Sequence, residues 1–109
     1  MTVRAVSYGP ATAPGRTISE KSIEKSVCDF AATLGWLRFK FVSPNNRAVP
    51  DDVFFRAGRT VFVEFKAPGK TASKLQEREH EKLRAAGFVV VVIDCTAAGR
   101  KFFLGLGAV

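Results

Sequence analysis

Asp51, preceded by Pro50, and Glu64-Phe65-Lys66, thirteen residues further on, are the residues of this chain best suited to do chemistry. Two carboxylates and one ammonium gathered at one point on a sheet are what divalent-metal phosphodiester hydrolysis requires. Carboxylate oxygens suit a hard cation such as Mg²⁺, and a lysine beside them sits near the attacking water. A lone Glu-x-Lys is more often a cross-strand ion pair. The Pro-Asp ahead of it gives the arrangement its meaning.

The elements that must hold these residues can be read locally. Residues 53–56 and 59–66 read as two short strands, and Ala57-Gly58 between them as a two-residue hairpin turn in which Gly58 can take a positive φ. In that register Arg56 faces Arg59 and Asp51 faces Glu64, with Cβ atoms about 5 Å apart. A slip of one residue would separate the acids. Alternation puts Glu64 and Lys66 on one face, and Val61, Val63 and Phe65 on the other. That second face is wholly apolar, so charges at the end of such a run need a reason.

The flanking segments complete an order of α-β-β-β-α-β, a mixed sheet with helices on either side. Ser19 caps a helix running to about Leu34 and stopped by Gly35, with an apolar stripe of Ile23, Val27, Phe30, Ala31 and Leu34. Helical phase turns Glu20 inward on its first turn, about 40° from the stripe centre, and Glu24 about 80° from it. Taken alone, Glu20 is explained by favourable interaction with the helix N-terminus; beside a sheet-borne acidic site it becomes a candidate third carboxylate, with Glu24 the alternative. Residues 36–42 alternate as a strand, with Trp36, Arg38 and Lys40 on one side. The loop after it ends in Pro50, which stiffens the approach to Asp51. Arg47 in this loop is either a phosphate contact or a solvated side chain. Ser73 and Gln76 form a capping box opening a helix to about Ala86, so Gln76 is either a cap or a contact to substrate or to a metal-held water. Lys70 and Lys74 flank the site at the start of this helix. His80 lies among Glu77, Arg78, Glu79, Glu81 and Lys82 and reads as solvated. Residues 88–93 read as a strand covered on both faces, making a βαβ unit with strand 60–66. A short helix is expected from about Thr96.

With 109 residues the chain is one domain by length. Residues 1–17, broken by Gly and Pro, read as a flexible arm in which Arg4 and Arg16 could touch phosphate; residues 18–109 form the single domain. No apolar run approaches the ~18 residues of a membrane span, and no secretory h-region is visible. Cys28 and Cys95 are far apart with no CxxC, which fits two reduced, packed cysteines in a cytoplasmic protein. A net charge of +7 favours a polyanionic partner. Between Trp36 and Lys74 stand Arg38, Lys40, Arg47, Arg56, Arg59, Lys66, Lys70 and Lys74 against Asp51, Asp52 and Glu64. That distribution suggests a phosphate-binding surface around an acidic centre.

The order and motifs resemble the PD-(D/E)xK nuclease superfamily, and more closely its VRR-NUC (virus-type replication-repair nuclease) domain. The segments that carry the resemblance are Ser19-Glu20-Lys21-Ser22-Ile23-Glu24, Gly35-Trp36, Val49-Pro50-Asp51, Glu64-Phe65-Lys66-Ala67-Pro68-Gly69-Lys70, Leu75-Gln76 and Ala85-Ala86-Gly87-Phe88. It implies a restriction-endonuclease-like α/β fold, with the family's metal-binding aspartate on Asp51, its glutamate on Glu64, its lysine on Lys66, its helix acid on Glu20 or Glu24, and its glutamine on Gln76. Ala48 departs from a usual Gly, which implies a less free loop. Asp52 departs from a neutral or basic residue, which implies extra negative charge beside the site. The implied activity is a stand-alone phage or bacterial DNA endonuclease that dimerises and uses Mg²⁺, with Mn²⁺ able to substitute. Asp51, Glu64, the Phe65 carbonyl and Glu20 would then hold metal, and Arg47, Lys70, Lys74 and Gln76 would meet substrate. Duplex or branched DNA is the expected substrate, with a four-way junction matching a two-fold dimer. The rival reading is a non-catalytic nucleic-acid-binding module on the same fold, with the acids as structural ion pairs.

Overall fold

In the computed structural model, residues 18–107 are described; the expected arm 1–17 lies outside them. Seven elements follow in order: α1 (Glu20–Thr33), β1 (Leu37–Lys40), β2 (Asp52–Arg56), β3 (Arg59–Phe65), α2 (Lys74–Ala85), β4 (Val89–Ile93) and α3 (Thr96–Gly105). The sheet order is β1-β2-β3-β4, antiparallel except for the parallel β3–β4 pair. This is the expected mixed α/β sheet, with α3 added after the α-β-β-β-α-β core. No helix among the described residues is long and apolar enough to cross a membrane.

The β2–β3 hairpin has the expected register. Arg56 pairs with Arg59, and the ladder runs to Asp52 opposite Val63, which brings Asp51 opposite Glu64 at the next step. Both turn residues take positive φ, Ala57 at 48° and Gly58 at 78°. This is the primed turn whose twist suits a two-residue hairpin. Gly58 adopts it freely, whereas Ala57 does so against its own Cβ.

The sheet carries two unequal cores. On one face α1 and α3 pack Ile23, Val27, Ala31, Phe102 and Phe103 against Phe54, Val61, Val63, Phe65, Val91 and Ile93. Gly99 permits that close contact: a Cβ there would lie 2.6 Å from Val27 Cγ2. On the other face α2 contributes Leu83 to a smaller cluster of Val53, Phe62 and Val90, joined by Phe41. Because β4 has helices on both faces it is buried although it is an edge strand, as its continuous β-branched run implies. Its start shifts by one residue: Phe88 is exposed and stacks edge-on against Phe62. α2 does not reach the β1–β2 half of its face, where Leu37, Phe39 and Phe55 stay 57 %, 52 % and 41 % exposed. Both cysteines are free, and burial pushes the Cys28 thiol up to about 11, so it is not a reactive nucleophile.

Candidate active site

Asp51 is held from two strands. Its backbone carbonyl accepts from Phe41 N at 2.8 Å, and its carboxylate Oδ2 accepts from Phe65 N at 3.4 Å. The loop that delivers it is tied down as well. Asn46 donates from its amide to Glu79 on α2, and its carbonyl accepts from Ala48 N. Pro50 and Ala48 are buried, so the loop is fixed by packing and hydrogen bonds.

Glu64 sits at the end of β3 on the face that α2 covers, and it is only 3 % exposed. Burial first, then the Asp51 carboxylate, pushes its carboxyl from 4.5 up to about 8, while Lys66 opposes the shift. Lys66 Nζ stands 3.7 Å from Glu64 Oε2. A cation beside the Asp51 carboxylate would favour the ionised form of Glu64. Glu20, at the start of α1, is raised by burial and then by Asp51, with Lys66 opposing. Its charge therefore senses Asp51 and Lys66.

Glu24 belongs elsewhere. One turn further along α1 it pairs with Lys40, and with Arg38 at 3.3 Å. Asp52 joins this group, fully buried, with Arg38 Nε 2.8 Å from Oδ1. The expectation that Asp52 adds charge beside the site is corrected here. Successive strand residues point to opposite faces, so Asp51 faces the site while Asp52 lies beneath α1 in an ion-paired cluster. Burial, then the Glu24 carboxylate, pushes the Asp52 carboxyl up to about 7.

The basic surface divides in the same way. Arg38 and Lys40 are engaged by Glu24 and Asp52. At the hairpin's far end, Arg56 and Arg59 donate to the carbonyls of Gly107 and Leu106, at 3.0 and 2.8 Å, and both lie over the Trp36 ring. Four of the eight basic residues are therefore structural. Arg47, Lys66, Lys70 and Lys74 remain. Arg47 shares with Asp51 an open recess of about 220 Å³ lined also by Phe41, Val42 and Asn46. Lys70 and Lys74 are exposed on the loop and first turn before and within α2. Gln76 completes the capping box: its side-chain oxygen accepts from Ser73 N at 2.9 Å and its own N–H donates to Ser73 Oγ. That leaves its amide nitrogen as the group able to meet a ligand.

His80 contradicts its reading as a solvated residue. It is fully buried, with Nε2 4.0 Å from Glu64 Oε1. The signal was present in the phase of α2: stepping back from Leu83 by three and seven residues gives His80 and Gln76, one sheet-facing stripe on an otherwise charged helix.

Among the described residues, no group of three His, Cys, Asp or Glu side chains is close enough to hold an ion by itself. The oxygen donors expected from the sequence are the Asp51 and Glu64 carboxylates and the Phe65 carbonyl, with Glu20 as a further acid on α1. That set fits Mg²⁺, which keeps several waters and commonly takes one or two carboxylates, better than a metal that demands an all-protein cage.

No family model matches the chain. A phage protein named "Putative nuclease p44", from Acyrthosiphon pisum secondary endosymbiont phage 1, is 45 % identical over 80 residues, spanning 72 % of this chain and 86 % of that protein. A solved structure described as a VRR_NUC domain superposes with a TM-score of 0.72 at 26 % identity, covering 78 % of this chain and 94 % of that one. The relative is named a nuclease and the structure is a VRR_NUC domain, and the chain belongs to the VRR-NUC family of restriction-endonuclease-like nuclease domains.

Proposed function

We propose that this protein is a metal-dependent DNA endonuclease that selects its substrate by shape, with branched DNA such as a four-way junction as the preferred target. The observation that carries the reading is the buried Glu64 carboxyl, raised to about 8 beside Asp51, with Lys66 Nζ 3.7 Å from its outer oxygen. Asp51, Glu64 and the Phe65 carbonyl would hold Mg²⁺ or Mn²⁺, with Glu20 supporting from α1. When bound, such an ion supplies charge stabilisation at the scissile phosphate and acidifies a water.

The chain's own residues do the rest. Asp51, pinned by Phe41 and Phe65, fixes the site against β3. Lys66, its ammonium held by Glu64, orients the attacking water and stabilises the negative charge that develops on it. Arg47 in the recess beside Asp51, together with Lys70 and Lys74, grips phosphates on either side; such contacts position the duplex without reading bases. Gln76, with its oxygen committed to the cap, offers one amide nitrogen to the substrate.

A homodimer belongs to the same proposal. The strip of Leu37, Phe39 and Phe55 left bare by α2 supplies apolar surface that a second copy can bury, and two-fold symmetry would then present two sites to a symmetric junction.

The test is a cleavage assay with labelled duplex, flap and four-way junction DNA in Mg²⁺, Mn²⁺ or EDTA, beside Asp51→Ala. Metal-dependent cutting that disappears in the variant is the expected result. Tight binding, equal in EDTA and Mg²⁺, with no cutting of any substrate would instead make the protein a binding module on a nuclease fold.

A further inference from the structure

His80 is the one histidine of the chain, and nothing so far gives it a task. It reaches from α2 to the underside of Glu64, completely buried. Its Nε2 stands 4.0 Å from Glu64 Oε1, while Lys66 Nζ approaches the other oxygen, Oε2, at 3.7 Å. Glu64 Oε1 and both ring nitrogens are buried without a hydrogen-bond partner among the described residues. An unmade hydrogen bond at a buried donor or acceptor costs about 1–3 kcal/mol. Here an orphaned donor and an orphaned acceptor face one another, and closing by about 1 Å would satisfy both.

We propose that His80 is a positioning residue for the metal site: its Nε2–H binds Glu64 Oε1 and so turns Oε2 alone toward the cation and Lys66. The inference rests on the metal-dependent reading given above. Burial, then the charge of Arg84, lowers the imidazole's pKa. Of the two ring nitrogens, Nε2 is the one that faces Glu64 Oε1, and an imidazole nitrogen carrying its hydrogen can donate to it. A carboxylate tied by one oxygen binds a metal through the other, which leaves positions on Mg²⁺ free for water and phosphate. A Glu64 able to chelate with both oxygens would occupy one of them. The same contact fixes the rotamer of a side chain that has no other anchor on its Oε1 side.

A single imidazole makes the test direct. In ¹⁵N-labelled full-length protein, long-range ¹H–¹⁵N spectra show one histidine and report which nitrogen carries the proton. The expected result is the Nε2–H tautomer, whose proton moves downfield and exchanges more slowly as Mg²⁺ is added. Mn²⁺ affinity, read from the paramagnetic signal of the free ion, supplies the second arm. The amide of His80→Gln reaches the Nε2 position, and that of His80→Asn falls short at the Nδ1 position. We expect His80→Asn to bind Mn²⁺ 10- to 100-fold more weakly, and His80→Gln to bind close to the wild type, with both melting cooperatively. An Nδ1–H tautomer, or equal Mn²⁺ affinity in the two variants, would overturn the role of His80 while leaving the metal site standing. A wild-type protein that binds neither Mg²⁺ nor Mn²⁺ would overturn the metal reading and this inference with it.

Discussion

Replacing Glu64 with Gln should stabilise the metal-free protein at neutral pH while removing its metal site. In the unfolded chain this carboxyl titrates near its ordinary 4.5, but in the fold, burial and then Asp51 raise it to about 8. Between those values the folded protein keeps a proton that the unfolded chain has released. The group's contribution to stability is therefore complete below about pH 4.5 and is lost as the pH rises toward 8. For an isolated carboxyl each pH unit in that window removes about 1.4 kcal/mol, or roughly 2–3 kcal/mol between pH 5 and pH 7. The opposing pull of Lys66 is already contained in that value, so roughly 2 kcal/mol or slightly more is expected. The glutamine is of nearly the same shape and has no charge to lose. The assay is urea unfolding in EDTA at pH 5 and pH 7 for both proteins. Asp52, which titrates near 7, is common to both and cancels from the comparison. The wild type should lose about 2 kcal/mol more than the variant. Mg²⁺ at 100 times its Kd should restore about 2.7 kcal/mol to the wild type at pH 7 and much less to the variant. Parallel pH profiles for the two proteins would refute the reasoning, because the Glu64 carboxyl would then not be the group under strain.

Lys66→Ala should keep DNA binding in a filter assay and lose cleavage; lost binding with cleavage preserved would contradict the role given to the lysine. Ala57→Gly should raise stability by about 1 kcal/mol, because the turn holds Ala57 at φ 48°, and the urea midpoint should rise with an unchanged slope. Arg38→Ala removes the 2.8 Å partner of a fully buried Asp52 and should cost about 3–5 kcal/mol at pH 8. At pH 5 the loss should shrink, because Asp52 is then protonated. Unfolding at both pH values measures it, and an equal loss at each would argue against an ionised Asp52 at pH 8.

The hairpin was legible because its register depends only on a two-residue turn and on alternation, and both are local. From these alone Asp51 falls opposite Glu64, and Glu64 falls on the face away from Val63 and Phe65. The division of the arginines was not legible. Arg56 and Arg59 look like any exposed pair flanking a turn, and only the arrival of α3, more than forty residues later, gives them carbonyls to hold. Asp52 was misplaced although alternation already separates it from Asp51; chain adjacency was mistaken for spatial adjacency. His80 was hidden by composition. A helix with five charged residues around one histidine reads as solvated until its phase is taken from Leu83. The bare strip at Leu37, Phe39 and Phe55 depends on how far α2 reaches, which is a tertiary fact that strand periodicity does not carry.

The tight hairpin also bears on the order in which the site is assembled. Asp51 and Glu64 come together through a contact that spans thirteen residues and a two-residue loop, and β-hairpins close in about 1–10 µs. The parallel β3–β4 pair must wait for the crossover through α2, and non-local pairings of that kind are slower. The two acids are thus expected to meet early, exposed to water and to each other's charge. His80 and the α2 face would then be laid over them late, completing the burial of Glu64 as the last helix-to-sheet contact on that face forms. Hydrogen exchange at the Phe65 amide, compared with amides in α2 during refolding, would show the hairpin protected first if this order holds. The site would then begin as a solvated acidic turn and become a confined one only when the domain closes around it.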